Sequence, residues 1–354
     1  MKRSCVLLAC VLLAGEARGQ ALIHRAAELP APAATATAPT PTVDPPATSG
    51  TPATPDTPPP AAVFRAGVDL VALNVVVTDG QQKFVTGLGA QNFSIYEDGV
   101  QQEVSYFAAS ALPLDLAILL DTSASMTDKI QTEQQAAAGF VSSMRSQDRA
   151  MIVDIKDATR ILQPLTGDVP AALKAIRTTA ARGGTGLYNG LYLTLKELVK
   201  ERQANGDVRR QAIVVLSDGD DTASLVAFDD VMDVAKRSGI GIYTITLRSK
   251  FLLQQAAATG HRYFSQSEYS MKALAQETGA RAFFPSDITE LTGVYGSIAD
   301  ELASQYSIGY TSKNPKRDGA YRRVVVRVAD HPGVQARTRT GYIAARAERR
   351  VSVD

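Results

Sequence analysis

The order of apolar and polar positions first predicts a β-rich segment. Residues 68–77 are rich in Val and Leu, and residues 93–96 and 100–107 flank the turn Glu97-Asp98-Gly99. A glycine in such a turn supplies the positive φ that a tight hairpin requires. We therefore expect about four short strands before Pro113.

The pattern of apolar positions changes after Pro113. Residues 114–120 form a nearly continuous apolar run, which is typical of a strand buried on both faces of a parallel sheet. Further strands are predicted at 150–155, 212–216 and 240–247, and helices at 187–200, 225–238 and 288–304. Alternation of this kind indicates a doubly wound, Rossmann-like α/β domain.

Beyond Gln305 the pattern returns to β, with strands predicted at 306–311, 321–329 and 334–342. Neither β block is long enough to bury a sheet well by itself. We therefore expect the α/β domain to be flanked by N- and C-terminal β segments that form one β-sandwich. The helix at 288–304 would connect the two parts.

The N-terminal region has a different composition. A basic start, an apolar stretch at residues 5–14 and the small-residue site Ala17-Arg18-Gly19 predict a signal peptide over residues 1–19. Residues 20–62 hold 11 of the 17 prolines in an Ala/Pro/Thr-rich segment, which predicts a disordered linker or spacer. We expect an exported protein in the periplasm, at the cell surface or outside the cell, without a transmembrane segment in the mature chain. Lipidation at Cys10 is the alternative.

Charge and composition narrow the chemistry. The 354 residues carry 37 Lys and Arg against 36 Asp and Glu, so there is no basic field of the kind that nucleic-acid-binding proteins have. Three histidines and two cysteines leave few routes to zinc sites or histidine catalysis. We therefore expect no nucleic-acid partner and a site built from oxygen ligands.

Polar oxygens follow two of the predicted strands. The first apolar strand ends in Asp121, Ser123 and Ser125, which spell D-x-S-x-S, and the strand at 212–216 is followed by Asp218. Thr185 lies between glycines in Gly183-Gly184-Thr185-Gly186. In an open α/β sheet, ligands bind outside the carboxyl ends of the strands, where these side chains would converge. Their oxygens suit a hard divalent cation.

This set resembles the metal-ion-dependent adhesion site (MIDAS) of von Willebrand factor type A (VWA) domains. The flanking segments, among them 77–79, 85–88 and 306–310, are similar to VWA-related proteins common in acidobacteria. The resemblance implies Mg²⁺ or Mn²⁺ held by Ser and Thr hydroxyls and, through water, by the aspartates. It also implies a protein partner whose Asp or Glu completes the coordination shell. The residues concerned are Asp121, Ser123, Ser125, Thr185 and Asp218.

The resemblance also implies domain bounds and a function class. The bounds are a β segment at 63–112, a VWA domain at 113–304, a second β segment at 305–345 and a tail at 346–354. The expected function is cell adhesion or protein binding without catalytic residues. A magnesium-dependent hydrolase and a scaffold with a stapling metal are the alternatives.

Plainer interpretations exist for several residues. Asp121 and its serines could serve only as a helix cap, and Asp220 and Asp221 are expected to be solvated loop charges rather than ligands. Residues 248–270 form a long loop without an assigned role. The arginines of the last strands are expected to form a solvated sheet face, with contact to an anionic surface as the alternative; they are Arg322, Arg323, Arg327, Arg337 and Arg339.

Overall fold

The structure is a computed structural model. It describes residues 70–109, 112–205, 208–217, 220–247, 258, 265–329 and 331–346. The chain divides into two units, Met1–Phe64 and Arg65–Asp354, and every described residue lies in the second. The predicted signal peptide and linker, Asp218 and most of the loop at 248–270 therefore lie outside the described residues.

The centre of the described part is a six-stranded sheet in the order β10-β9-β8-β5-β6-β7. All neighbouring pairs are parallel except β6 and β7. The strands are β5 (Leu114–Asp121), β6 (Arg149–Ile155), β7 (Arg160–Thr166), β8 (Arg210–Ser217), β9 (Gly241–Thr246) and β10 (Ala282–Phe283).

Helices cover both faces of this sheet. They are α1 (Ile130–Ser142), α2 (Val169–Arg177), α3 (Leu187–Asn205), α4 (Phe228–Ser238), α5 (Gln266–Glu277) and α6 (Leu291–Ala303). Every residue of β5 is buried, because its side chains point alternately to two cores. Leu116 and Ile118 pack in the core that holds α1 and α6, and Ala117 and Leu119 pack against α3.

Two further sheets build a β-sandwich with one shared core. One has the order β13-β1-β11-β4 and the other β14-β12-β2-β3. The strands are β1 (Leu70–Thr78), β2 (Phe93–Glu97), β3 (Val100–Gln102), β4 (Val104–Ala109), β11 (Tyr306–Thr311), β12 (Tyr321–Val328), β13 (Gln335–Arg337) and β14 (Gly341–Ile343). Each sheet combines strands from both sides of the α/β domain, so the predicted fold class is confirmed.

Two local expectations were wrong or incomplete. The strand predicted at 334–342 is two strands, β13 and β14, which belong to different sheets. Between them the amide of Thr340 donates to the carbonyl of Glu277 at 3.3 Å, and its hydroxyl donates to the Glu277 carboxylate at 2.6 Å. Thr340 thus ties the chain to the α/β domain as well as to β12, whose Val324 amide donates to the Thr340 carbonyl at 2.9 Å. β7, β10, α2 and α5 were not predicted, and α5 begins at Gln266, inside the stretch expected to be a loop at 248–270. The domain bounds given above stay predictions.

Candidate metal centre

Asp121 stands at the carboxyl end of β5 and is fully buried. One carboxylate oxygen accepts a hydrogen bond from the amide of Ser123 at 3.0 Å, and the other accepts one from the hydroxyl of Ser217 at 2.6 Å. Ser217 is the last residue of β8, the parallel neighbour of β5. The ends of the two strands therefore hold this carboxylate in one orientation.

The two serines of the D-x-S-x-S sequence lie just beyond the strand. Ser123 is 3% exposed and Ser125 is exposed, with their hydroxyl oxygens 2.9 Å apart. Ser123 precedes a short 3-10 turn at Ala124–Met126, yet its side chain makes no capping hydrogen bond there. The helix-cap interpretation is therefore wrong for Ser123, whose oxygen faces another oxygen instead of a helix amide.

The glycine-rich loop contacts the serine loop through the backbone. The amide of Ala124 donates to the carbonyl of Gly183 at 2.9 Å. Thr185, which is 4% exposed, donates its own amide to the hydroxyl of Thr222 at 3.0 Å, and its carbonyl accepts from the Thr222 amide at 2.9 Å. Thr185 is thus held between the serine loop and the segment that follows β8.

Glycine is required at two positions of this loop. Gly183 has a φ of +76°, and a Cβ there would lie 2.2 Å from a carboxylate oxygen of Asp157. A Cβ on Gly186 would lie 2.7 Å from the backbone carbonyl of Lys156. Both contacts are far inside van der Waals distance, and a positive φ is strained for other residues. The glycines flanking Thr185 thus allow the loop to lie against the end of β6.

More ionisable groups lie near this edge than the sequence motif indicates. Asp154 accepts a hydrogen bond from Thr122 and forms an ion pair with Lys156. Glu133 on α1 is fully buried, and neither of its carboxyl oxygens has a hydrogen-bond partner among the described residues. Burial, with the charge of Asp121 second, raises the pKa of Glu133 well above its usual range.

Sequence reasoning missed Glu133 and Ser217. Glu133 lies 12 residues after Asp121 in a helix with small apolar neighbours, where a lone Glu is indistinguishable from a solvated side chain. Ser217 carries a usable signal, since it directly precedes Asp218 at the end of an apolar run. A hydroxyl at the end of a central strand next to the D-x-S-x-S strand is within reach of the first Asp of that motif.

Two neighbouring aspartates have other partners. The carboxylate of Asp220 accepts from the Ser267 hydroxyl at 3.0 Å, and that of Asp221 accepts from the Ser224 amide at 3.2 Å. Both bonds order the segment after β8. Asp218, the fifth predicted ligand, lies outside the described residues.

The donor set is suited to Mg²⁺ or Mn²⁺. Asp121, Ser123, Ser125 and Thr185 offer one carboxylate and three hydroxyl oxygens, all hard ligands. Within the described ranges there is no group of three or more His, Cys, Asp or Glu side chains that could hold a metal. Three of these four side chains are neutral, and the hydroxyl oxygens of the two serines lie 2.9 Å apart.

Comparison with known proteins agrees with the fold. Residues 116–220 match the family model of the von Willebrand factor type A domain. This matched stretch includes most of β5 and the two loops described above. In the part of the chain that the structure describes, no helix is long and apolar enough to cross a membrane.

Individual relatives share modest identity. An uncharacterised protein of Borreliella burgdorferi is 24% identical over 215 residues, which is 56% of this chain and 58% of that protein. The uncharacterised protein sll0103 of Synechocystis is 30% identical over 112 residues, 31% of this chain and 26% of that protein. The chain therefore matches less than two thirds of either relative. A von Willebrand factor type A structure from Catenulispora acidiphila covers 80% of this chain and 76% of its own, with 11% identity and a TM-score of 0.46.

Proposed function

We propose that this protein is an exported or envelope-associated binding protein that uses a MIDAS-type divalent cation to hold an acidic side chain of a protein partner. The observation that carries this proposal is that the buried Asp121 and the exposed Ser125 lie at the same sheet edge of a VWA domain, each bonded to Ser123. Buried oxygens would hold the ion, and the exposed one marks the side from which a partner would approach.

The chain's own residues divide the work. Asp121 supplies the negative charge and is oriented by Ser123 and Ser217. Ser123, Ser125 and Thr185 supply neutral oxygens, and Asp218 is proposed as a further carboxylate. When bound, Mg²⁺ or Mn²⁺ supplies a Lewis-acidic centre. Because the proposed direct ligands are mainly neutral, a carboxylate from outside is a favourable additional ligand.

Binding is favoured over hydrolysis by the surroundings of the site. A hydrolytic centre needs a base that reaches the substrate. Glu133 is fully buried, and Lys156 is engaged with Asp154. These groups can support the fold of the loops, but they are poorly placed to activate water for a bound partner.

The first test is a calorimetric titration with Mg²⁺, followed by capture of envelope proteins in Mg²⁺ or EDTA. We expect saturable metal uptake by the wild type, loss of uptake in Asp121→Ala, and capture that disappears with EDTA. Thr185→Ala should weaken capture more than it weakens the fold, because it removes a single neutral oxygen. Ca²⁺ should substitute poorly, since it prefers six to eight ligands at longer distances.

Ser142→Ala is the matched control. Ser142 is exposed at the far end of α1, about 18 Å from the first residue of that helix, and bonds only to the Ala138 carbonyl at 2.8 Å among the described contacts. It should bind metal like the wild type. Capture that is indifferent to both EDTA and Asp121→Ala would instead support the scaffold, and metal-dependent hydrolysis of phosphate or carboxylate esters would support the hydrolase.

A further inference from the structure

A cleft of about 560 Å³ lies where the α/β domain meets the sandwich. It is lined by the end of α3, the end of α4, β14 and the loop after β11, and it holds six cationic side chains: Arg202, Arg237, Lys316, Arg317, Arg322 and Arg339. No Asp or Glu belongs to its lining among the residues that the structure describes. The whole chain has a net charge of only +1, so positive charge is concentrated here.

Two of these arginines have carboxylate partners that do not belong to the lining. Arg322 is buried and lies 3.3 Å from Glu97, so it is not part of the solvated face expected from the sequence. Arg237 bonds to Asp233 at 2.8 Å. Because these pairs are compensated, they shape the cleft without adding a full unpaired charge.

Arg202 and Arg339 are different. Arg202 donates to the carbonyl of Ser238 at 3.1 Å, and its described contacts include no carboxylate. Arg339 has a buried Nε without a hydrogen-bond partner in the described part of the chain, and its guanidinium lies 5.4 Å from the centre of the Tyr342 ring. Burial lowers the pKa of Arg202, and burial together with the charge of Arg202 lowers that of Arg339 to about 10. Arg339, with its buried and unpartnered Nε, thus lies near the like charge of Arg202, whose own side chain is exposed.

An arrangement of this kind is costly unless an anion compensates it. Guanidinium groups bind carboxylate and phosphate through paired N–H donors, which makes arginine the usual residue for such anions. The walls also contain apolar side chains that could contact the hydrocarbon part of an organic anion. Among them are Leu70, Pro315 and Ile343. The hydroxyl of Ser312 and the amide of Asn314 add polar groups to the same lining.

We propose that this cleft binds a small organic anion with at least two carboxylate or phosphate groups, anchored by Arg202 and Arg339. The site is separate from the metal centre: Arg202 lies 15 residues along α3 from Leu187, about 22 Å from the helix end that follows the Thr185 loop. The anion-binding proposal is therefore independent of the proposed function, and either one can fail without the other.

The test uses the full chain in EDTA, so that the metal centre does not contribute. Inorganic phosphate and succinate are the two probes, each compared with NaCl at equal ionic strength, with calorimetric titration and the thermal midpoint as readouts. We expect saturable binding of one or both probes and a rise in the midpoint that NaCl does not reproduce. The two probes distinguish phosphate from dicarboxylate ligands.

Variants separate a binding role from a structural one. Arg339→Met and Arg202→Met should each weaken the probe at least tenfold, and Arg339→Met should unfold at the same or a higher temperature than the wild type without anion. Arg323→Met, at an exposed position of β12 outside the cleft, should bind like the wild type. A midpoint that rises equally with NaCl, or equal loss of binding in Arg323→Met, would overturn the proposal.

A final experiment tests whether carboxylates of the chain's own residues 347–354 occupy the cleft. Residues 347–354 include Glu348 and Asp354 and follow directly after the cleft-lining Ala345 and its neighbour Arg346. A chain that ends at Arg346 should bind the probes with the same affinity as the full chain. If only the shortened chain binds, the tail is the occupant and the small-anion proposal is wrong.

Discussion

A buried aspartate lies near each end of strand β5, and the two carboxylates differ in the partners described for them. At the amino end, Asp115 is 2% exposed and binds two arginines: Arg149 with an N to O distance of 2.7 Å and Arg209 at 2.6 Å. At the carboxyl end, Asp121 is equally buried, and the donors described for it are the Ser123 amide and the Ser217 hydroxyl. One carboxylate is neutralised by two arginines of the chain, and the two donors described for the other are uncharged.

The two edges of the sheet therefore differ in the contacts that their carboxylates make. Arginines at the amino edge bridge segments that are far apart in the chain, since Arg149 and Arg209 are 34 and 94 residues from Asp115. Uncharged donors at the carboxyl edge fix the position of the Asp121 carboxylate, and this is the edge at which we propose a metal site. The first edge therefore stabilises the fold.

The largest effect should come from Asp115→Ala. This change leaves Arg149 and Arg209 partly buried without their carboxylate, and breaking a buried ion pair costs about 3–5 kcal/mol. We expect the free energy of unfolding in urea to fall by that amount, with metal affinity unchanged in the molecules that remain folded.

Glu197→Ala is the control for that change. Its partner Lys200 is 74% exposed, so the ion pair should contribute less than about 1 kcal/mol. If both substitutions cost the same, the amino edge does not have the structural role argued above.

The contrast also explains what the sequence could reveal. Asp121, Ser123 and Ser125 were found because a short motif directly follows an apolar run, and both signals are local. Asp115 lies inside the same run and carries no local sign of its two distant arginines. Local patterns therefore point to the edge where a ligand site is proposed, but they do not reveal the ion pairs that connect distant segments at the other edge.

The sandwich shows the same limit. Its strands were predicted from composition, and their pairing followed from the argument that neither block could bury a sheet alone. Between β13 and β14, Thr340 bonds to Glu277, 63 residues away, and no local pattern contains such a contact. Glu133 was missed for a similar reason, because its burial comes from tertiary packing.

A smaller effect is expected for Asp121→Asn. Unlike the effect of Asp115→Ala, it should appear mainly when Mg²⁺ is bound. Without metal, the free energy of unfolding should stay within about 1 kcal/mol of the wild type, since an amide can take up the hydrogen bonds to Ser123 and Ser217. With Mg²⁺ at 100 times its dissociation constant, the wild type should gain about 2.7 kcal/mol and the variant should gain little.

Urea unfolding with Mg²⁺ and with EDTA measures both quantities. A variant that is destabilised by several kcal/mol in EDTA would mean that Asp121 is a structural carboxylate like Asp115. An equal gain from Mg²⁺ in wild type and variant would place metal binding elsewhere in the chain.

The smallest effect concerns pH at the amino edge, where Asp148 accepts hydrogen bonds from the Leu114 amide at 2.9 Å and from Arg145 at 2.9 and 3.0 Å. Burial alone would raise the pKa of Asp148, but these bonds and the charge of Arg145 outweigh it and lower the pKa below its usual range. A lowered folded pKa means that the stabilisation is complete above the unfolded value of about 3.9 and is lost as pH falls through the folded value. Asp148→Asn should therefore cost about 1 kcal/mol at pH 7 in urea unfolding, and the difference from wild type should shrink steadily below about pH 4. A difference that stays constant from pH 7 to pH 3 would show that the shape of this side chain, rather than its charge, matters at this edge.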